Sequence, residues 1–163
     1  MSRVVMSRLG AVASLLFLSG CPDLGPGADS MKSLESGLLD AIEAGDLHNA
    51  QDYFLDGQLL IEQCPSRFDT ENEATFLRKL ANGKRRFARY FSQCGARTTE
   101  ELVIERRSGG RKLRQMEGCG EGVWEYGDLR LDVSSGGRRF SVLMDGILGI
   151  DGRYFIVERV RCR

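Results

Sequence analysis

The chain has 163 residues, carries 23 basic and 23 acidic side chains for a formal net charge of zero, and is 42% hydrophobic. That length suffices for one domain with a real core, and the charge balance supplies no bulk attraction for nucleic acid. A single histidine, His48, and five cysteines with no C-x-x-C spacing leave no metal-ligand pattern, and no motif implies a cofactor.

The N-terminus supplies a positive start, Arg3 and Arg8, and then the apolar run Leu9–Leu18. A bilayer-spanning helix needs about 20 apolar residues, so the run is too short to span. Two small residues, Ser19 and Gly20, precede Cys21, and residues 1–20 read as a processed export signal outside the fold. The stretch Leu18-Ser19-Gly20-Cys21 resembles the lipobox of bacterial lipoproteins. The resemblance implies cleavage before Cys21, acylation of that cysteine (palmitate among the chains) and a protein held in the cell envelope by lipid. An ordinary secretory signal is the alternative. Pro22 in place of aspartate is similar to outer-membrane sorting in enteric bacteria, which would face the domain to the periplasm.

Residues 21–30 hold two prolines, two glycines and two aspartates and read as a flexible tether, leaving 31–163 as a single domain. Met31, Leu34, Leu38 and Ile42 fall at helical spacing, and Gly45 is a natural stop. Asp46 is suited to cap a second helix through Phe54, with His48 in its first turn. The stretch GQLLIEQCP then suggests a short strand closed by Pro65. Thr70-x-x-Glu73 fits a capping box opening a third helix with Phe76, Leu80, Phe87 and Phe91 on its apolar stripe. Arg78, Lys79, Arg85, Arg86 and Arg89 fall on the opposite face. From about Thr99 the pattern changes to strands at 100–107, 111–118, 122–133, 138–149 and 153–162, separated by SGG, CGEG, SSGG and Asp151-Gly152. Helices followed by an antiparallel meander predict an α+β fold.

That element order, with Glu43-Ala44-Gly45-Asp46-Leu47 at the junction of the first two helices, resembles the nuclear-transport-factor-two-like group, the cystatin-like α+β roll. The resemblance implies N-terminal helices packed on a curved, mainly antiparallel sheet. It covers nearly all of residues 31–163. The group includes cyclases, isomerases, dehydratases and many non-catalytic binding modules, so the fold does not choose a function.

With Cys21 committed to lipid, Cys64, Cys94, Cys119 and Cys162 form an even exported set, which suggests two disulfides in one of three connectivities. The end of the third helix lies beside the turn holding Cys119, favouring Cys94–Cys119. Cys64 is then left for Cys162, and the roll fold makes the first and last strands neighbours.

Treated as one strand, 122–133 puts Val123, Glu125, Leu129, Leu131 and Val133 on one face. If Val133 pairs with Arg138, Leu129 opposes Val142, and Met144, Leu148, Phe155, Val157 and Arg159 join that face. Glu125 and Arg159 are then charges on an apolar face flanking Gly146. One reading makes Glu125 a pocket carboxylate for proton transfer; the other leaves it solvated or paired with Arg159, and one bulged residue would move either. His48 is the remaining weak catalytic candidate, and a surface histidine is the ordinary explanation for it. No nucleophile elbow, phosphate loop or histidine pair is present.

Charge is segregated. Residues 35–76 hold ten acids and one base, whereas 77–117 hold twelve bases and four acids. The basic set either forms a patch for an anionic envelope component or protein, or faces the acidic segment within the fold. The sequence thus supports first a lipid-anchored, non-catalytic binding or assembly domain, with Arg78, Lys79, Arg85, Arg86 and Arg89 as contact surface. The alternative is a small cyclase- or isomerase-like enzyme using Glu125 as general base in an apolar pocket. A purely structural lipoprotein is the third reading.

Overall fold

The structure, a computed structural model, describes residues 27–68 and 70–163. The stretch Leu18–Cys21 read as a lipobox, the expected export signal 1–20 and most of the expected tether lie outside the described residues. Among the described residues four helices precede six strands: α1 (Met31–Ala44), α2 (Leu47–Gln51), α3 (Gly57–Gln63), α4 (Thr70–Gly95), β1 (Val103–Gly109), β2 (Lys112–Gln115), β3 (Val123–Tyr126), β4 (Leu129–Ser135), β5 (Arg138–Ile150) and β6 (Arg153–Cys162). The fold is α+β, and every pairing between the named strands is antiparallel.

Of the expected tether, the last residues are tied down. Ala28 exchanges backbone hydrogen bonds with Tyr154 at 3.0 and 2.7 Å, and Ser30 caps α1 by accepting from the Ser33 N–H at 3.0 Å. Helix α1 then buries Leu34, Leu38 and Ile42, the spacing that predicted it.

Two N-terminal expectations change. The second helix stops at Gln51 rather than Phe54, because residues 53–55 dock on the outer edge of β6. Ile156 N–H donates to Tyr53 O at 2.8 Å, and Leu55 N–H donates to Ile156 O at 3.0 Å. With that edge already satisfied, GQLLIEQ has no strand to join. It forms helix α3 instead of the predicted strand, started by Asp56, whose carboxylate accepts from the Gln58 N–H at 3.0 Å.

The predicted strand 122–133 is interrupted at Gly127-Asp128, giving β3 and β4, which pair successive parts of one edge of β5. Strands β1 and β2 likewise pair β4 and β3 in turn, and β6 takes the other edge of β5. The β4–β5 turn is tighter than expected: Ser135 pairs Arg138, and Val133 pairs Phe140 rather than Arg138. This displacement by two residues preserves which side chains share a face. The Asp151-Gly152 turn joins Ile150 to Arg153 as predicted.

Two apolar clusters hold the sheet to the helices. The main one gathers Leu34, Leu38 and Ile42 of α1, Phe87 and Phe91 of α4, and Leu131, Val142, Met144, Ile156 and Val160 of the sheet. The second gathers Leu55, Leu60 and Cys64 with Val123, Leu148, Ile150 and Phe155. Alternate residues of β6 serve each cluster, Ile156 and Val160 the first, Phe155 the second.

The disulfides are Cys64–Cys119 and Cys94–Cys162, which corrects both expected pairings, Cys94–Cys119 and Cys64–Cys162. Cys64 ends a helix, not a first strand, and that helix packs beneath the β2–β3 turn carrying Cys119. Helix α4 packs along β6, so Cys94 near its end reaches Cys162 at the end of that strand.

Candidate functional site

The site begins with one residue. Gly146 interrupts β5 with a φ of +67°, a left-handed conformation that costs a side-chain-bearing residue, and a Cβ there would meet Glu158 Cγ at 2.6 Å. Asp128 steadies the kink by accepting from the Gly146 N–H at 3.1 Å, and the β5–β6 register shifts between Asp145 and Ile147. Beyond the kink the burial phase changes: Met144 and Ile147 belong to the main cluster, Leu148 and Ile150 to the second.

Beside this kink, where the start of α4 leans over the sheet, an open cleft of about 460 Å³ remains. Its apolar walls are Leu60, Phe68, Phe76, Met116, Leu148 and Val157, and Arg67, Lys79, Arg114, Glu125 and Glu158 supply charge. Phe68 and Phe76 pack with ring centroids 4.9 Å apart. A second open cleft, also about 460 Å³, shares Phe76, Lys79, Val157 and Glu158 with the first and continues to Leu80, Gly83, Arg86 and Arg159. Gly83 lets α4 come close to the strand, since a Cβ there would lie 3.2 Å from Glu158 O.

Glu125 therefore lines a cleft, but not beside Arg159. It faces the second cluster opposite Leu148, whereas Leu129, Leu131 and Val133 face the main one, so the single apolar face predicted for 122–133 does not exist. The break at Gly127-Asp128 is the reason. Arg114 Nε donates to Glu125 Oε2 at 2.7 Å, and this bond raises the Arg114 guanidinium above its usual range. The Glu125 side chain is 37% exposed, so it is not the isolated carboxylate of an apolar pocket.

Arg159 instead donates to Asp145 Oδ2 at 2.6 Å, and Arg161 donates to the same oxygen at 2.7 Å. Asp145 is only 4% exposed, so two guanidiniums satisfy a buried charge. Asp132 is held below the usual carboxylate range by the Ser141 hydroxyl and by Arg130. Burial, with help from the Tyr154 hydroxyl 3.5 Å away, pushes the Tyr126 phenol up to about 12. His48 is exposed on α2 and lines neither cleft.

Of the five basic residues predicted on the third helix, Arg78, Lys79, Arg85, Arg86 and Arg89, all are exposed on α4. None has an ion-pair partner among the described residues; Arg85 donates to Asn82 Oδ1 at 3.0 Å. Arg85, Arg86, Arg89 and Asn82 line a shallow hollow of their own. Among the described residues no group of three His, Cys, Asp or Glu is placed to hold a metal ion, and no helix is long and apolar enough to cross a membrane.

Sequence reasoning missed Arg67, Phe68, Met116 and Glu158, which bound the cleft; Leu80 and Phe76, expected on the apolar stripe, are buried or packed against the core and also line the clefts. Arg67 carried a signal: it is the one base in the acidic stretch 35–76. No protein-family model matches the chain, and neither a curated protein nor a solved structure matches it significantly.

Proposed function

We propose that this is a lipid-anchored protein of the bacterial envelope whose domain binds an anionic envelope component through α4. The observation that carries the reading is the exposed basic row of α4, left without carboxylate partners among the described residues. Holding like charges together on one helix costs free energy that an anionic ligand would relieve. Arginine's planar fork suits phosphate, the commonest anion of lipid headgroups and envelope polymers. The lipobox at Cys21 supports the location, two disulfides suit an oxidising compartment, and helices ahead of an antiparallel sheet support the resemblance to the cystatin-like rolls.

The test is sedimentation of the full chain, carrying Cys21→Ser so that no acyl chain contributes, with phosphatidylglycerol or phosphatidylcholine vesicles. Each surface arginine contributes about 1 kcal/mol to binding an anionic membrane, so Arg78→Gln/Arg85→Gln/Arg89→Gln should weaken the phosphatidylglycerol complex about a hundredfold. Affinity unchanged by the triple substitution removes the proposal. Labelling with radioactive palmitate, lost in Cys21→Ser, tests the anchor separately.

A catalytic reading keeps one observation in its favour: Glu125 lines a cleft of about 460 Å³, within the size range of small-molecule sites. Its ion pair with Arg114, and the lack of a hydrogen-bonded acid or base beside it among the described residues, leave the binding reading ahead.

A further inference from the structure

The cleft beside Gly146 and its neighbour share Phe76, Lys79, Val157 and Glu158 and adjoin as a groove under the first half of α4. Its bottom is hydrocarbon: Phe68 against Phe76, then Met116, Leu148 and Val157. Two polar groups at this floor are already engaged, Gly146 N–H by Asp128 and Glu125 by Arg114. A peptide would bring backbone donors and acceptors that need partners there, whereas a bare hydrocarbon chain would not. At the rim stand Arg67, Lys79 and Arg86, none with an ion-pair partner among the described residues. Among the described lining residues Glu158 is the one carboxylate without an ion-pair partner, against the cations Arg67, Lys79 and Arg86.

We propose that this groove binds a fatty-acid anion, the carboxylate held by Arg67 and Lys79 and the acyl chain laid over Phe76 and Val157 toward Leu80. Arg67 presents the paired donors that match a carboxylate, and Lys79, present in both clefts, adds a second charge where they join. Burying the chain against aromatic and aliphatic side chains supplies the affinity, and the two cations select the charged head. Lys79 belongs both to this site and to the basic row of α4, whereas Arg67 lies outside that row and Arg78, Arg85 and Arg89 line neither cleft, so the two readings answer to different substitutions.

The experiment is calorimetric titration of the full chain with laurate below its micelle concentration, and with 1-monolaurin as the uncharged counterpart. Laurate should bind saturably at one site per chain. Arg67→Gln/Lys79→Gln should weaken laurate at least tenfold while leaving monolaurin unchanged, and Val157→Trp, which fills the floor, should weaken both. The exposed charge pair decides the matter even if the tryptophan variant fails to fold. Arg78→Gln/Arg85→Gln/Arg89→Gln should leave laurate binding intact, so loss of vesicle binding alone speaks only to the α4 surface. The inference is overturned by the absence of saturable binding, or by laurate affinity that Arg67→Gln/Lys79→Gln does not change.

Discussion

Six arginines of the sheet and the basic residues of α4 sit in opposite electrostatic situations. Arg107, Arg114, Arg130, Arg139, Arg159 and Arg161 each hold a carboxylate at 2.5–3.2 Å. Arg78, Lys79, Arg85, Arg86 and Arg89 hold none among the described residues. The difference follows from neighbours rather than from arginine content. Strands bring residues far apart in sequence side by side, so Arg114 meets Glu125 across a ladder and Arg159 meets Asp145. A helix surface draws its neighbours from three and four positions away, and α4 carries no acid after Glu73. Between the acidic stretch 35–76 and the basic stretch 77–117, one ion pair forms among the described residues, Glu35 with Arg107.

The covalent link between the two regions should give the largest effect when broken. Cys94–Cys162 joins the end of α4 to the end of β6 across 68 residues of chain. Closing a loop of that length removes unfolded-state entropy worth about 4 kcal/mol. Cys94→Ser/Cys162→Ser should lose about that much in urea denaturation, and amide exchange should show α4 opening ahead of the sheet. A loss below about 1 kcal/mol would mean that packing of Phe87 and Phe91 alone fixes the helix.

Next in size is the most buried pairing of the sheet. Asp145→Ala leaves Arg161, whose side chain is 20% exposed, and Arg159, at 43%, without their shared acceptor. Orphaning a buried charge costs 3–5 kcal/mol, and partial access to water for both arginines brings the expectation to about 2–3 kcal/mol. Glu35→Gln should cost less, about 1 kcal/mol, because its partner Arg107 is 45% exposed while Glu35 itself is buried. If both substitutions are neutral, pairing on the sheet is incidental, and the contrast with α4 loses its meaning.

How much of this was legible depended on whether the cause was local. The α1 spacing, the Asp151-Gly152 turn and the apolar stripe of the long helix are set by residues within a few positions of one another, and all appear in the structure. Helix α3 was not legible, since the choice between helix and strand was made by Tyr53–Leu55 occupying the β6 edge. The site suffered most. Glu125 and Gly146 were both singled out, yet placing Glu125 required knowing that β3 and β4 are separate strands and that the burial phase changes beyond Gly146. The disulfides were mispaired for the same reason, because connectivity depends on where α4 runs relative to β6 and not on cysteine spacing.

The smallest expected effect is the sharpest test of the contrast. Removing positive charge from α4 by Arg78→Gln/Arg85→Gln/Arg89→Gln takes away no ion pair, and glutamine is nearly as good a helix former as arginine. Arg85 and Arg89 are four residues apart, so their repulsion costs about 0.2–0.5 kcal/mol at low salt. The triple variant should therefore be as stable as the parent or slightly more so, by up to about 0.5 kcal/mol, and the gain should vanish as salt screens the parent. Thermal melts at low and high ionic strength measure this directly. A loss above about 1 kcal/mol would mean that these arginines hold internal partners, and the α4 face would then be structural rather than a surface kept for an anion. Stability held while vesicle affinity falls would place these charges in contact with the anion and not in the folding of the domain.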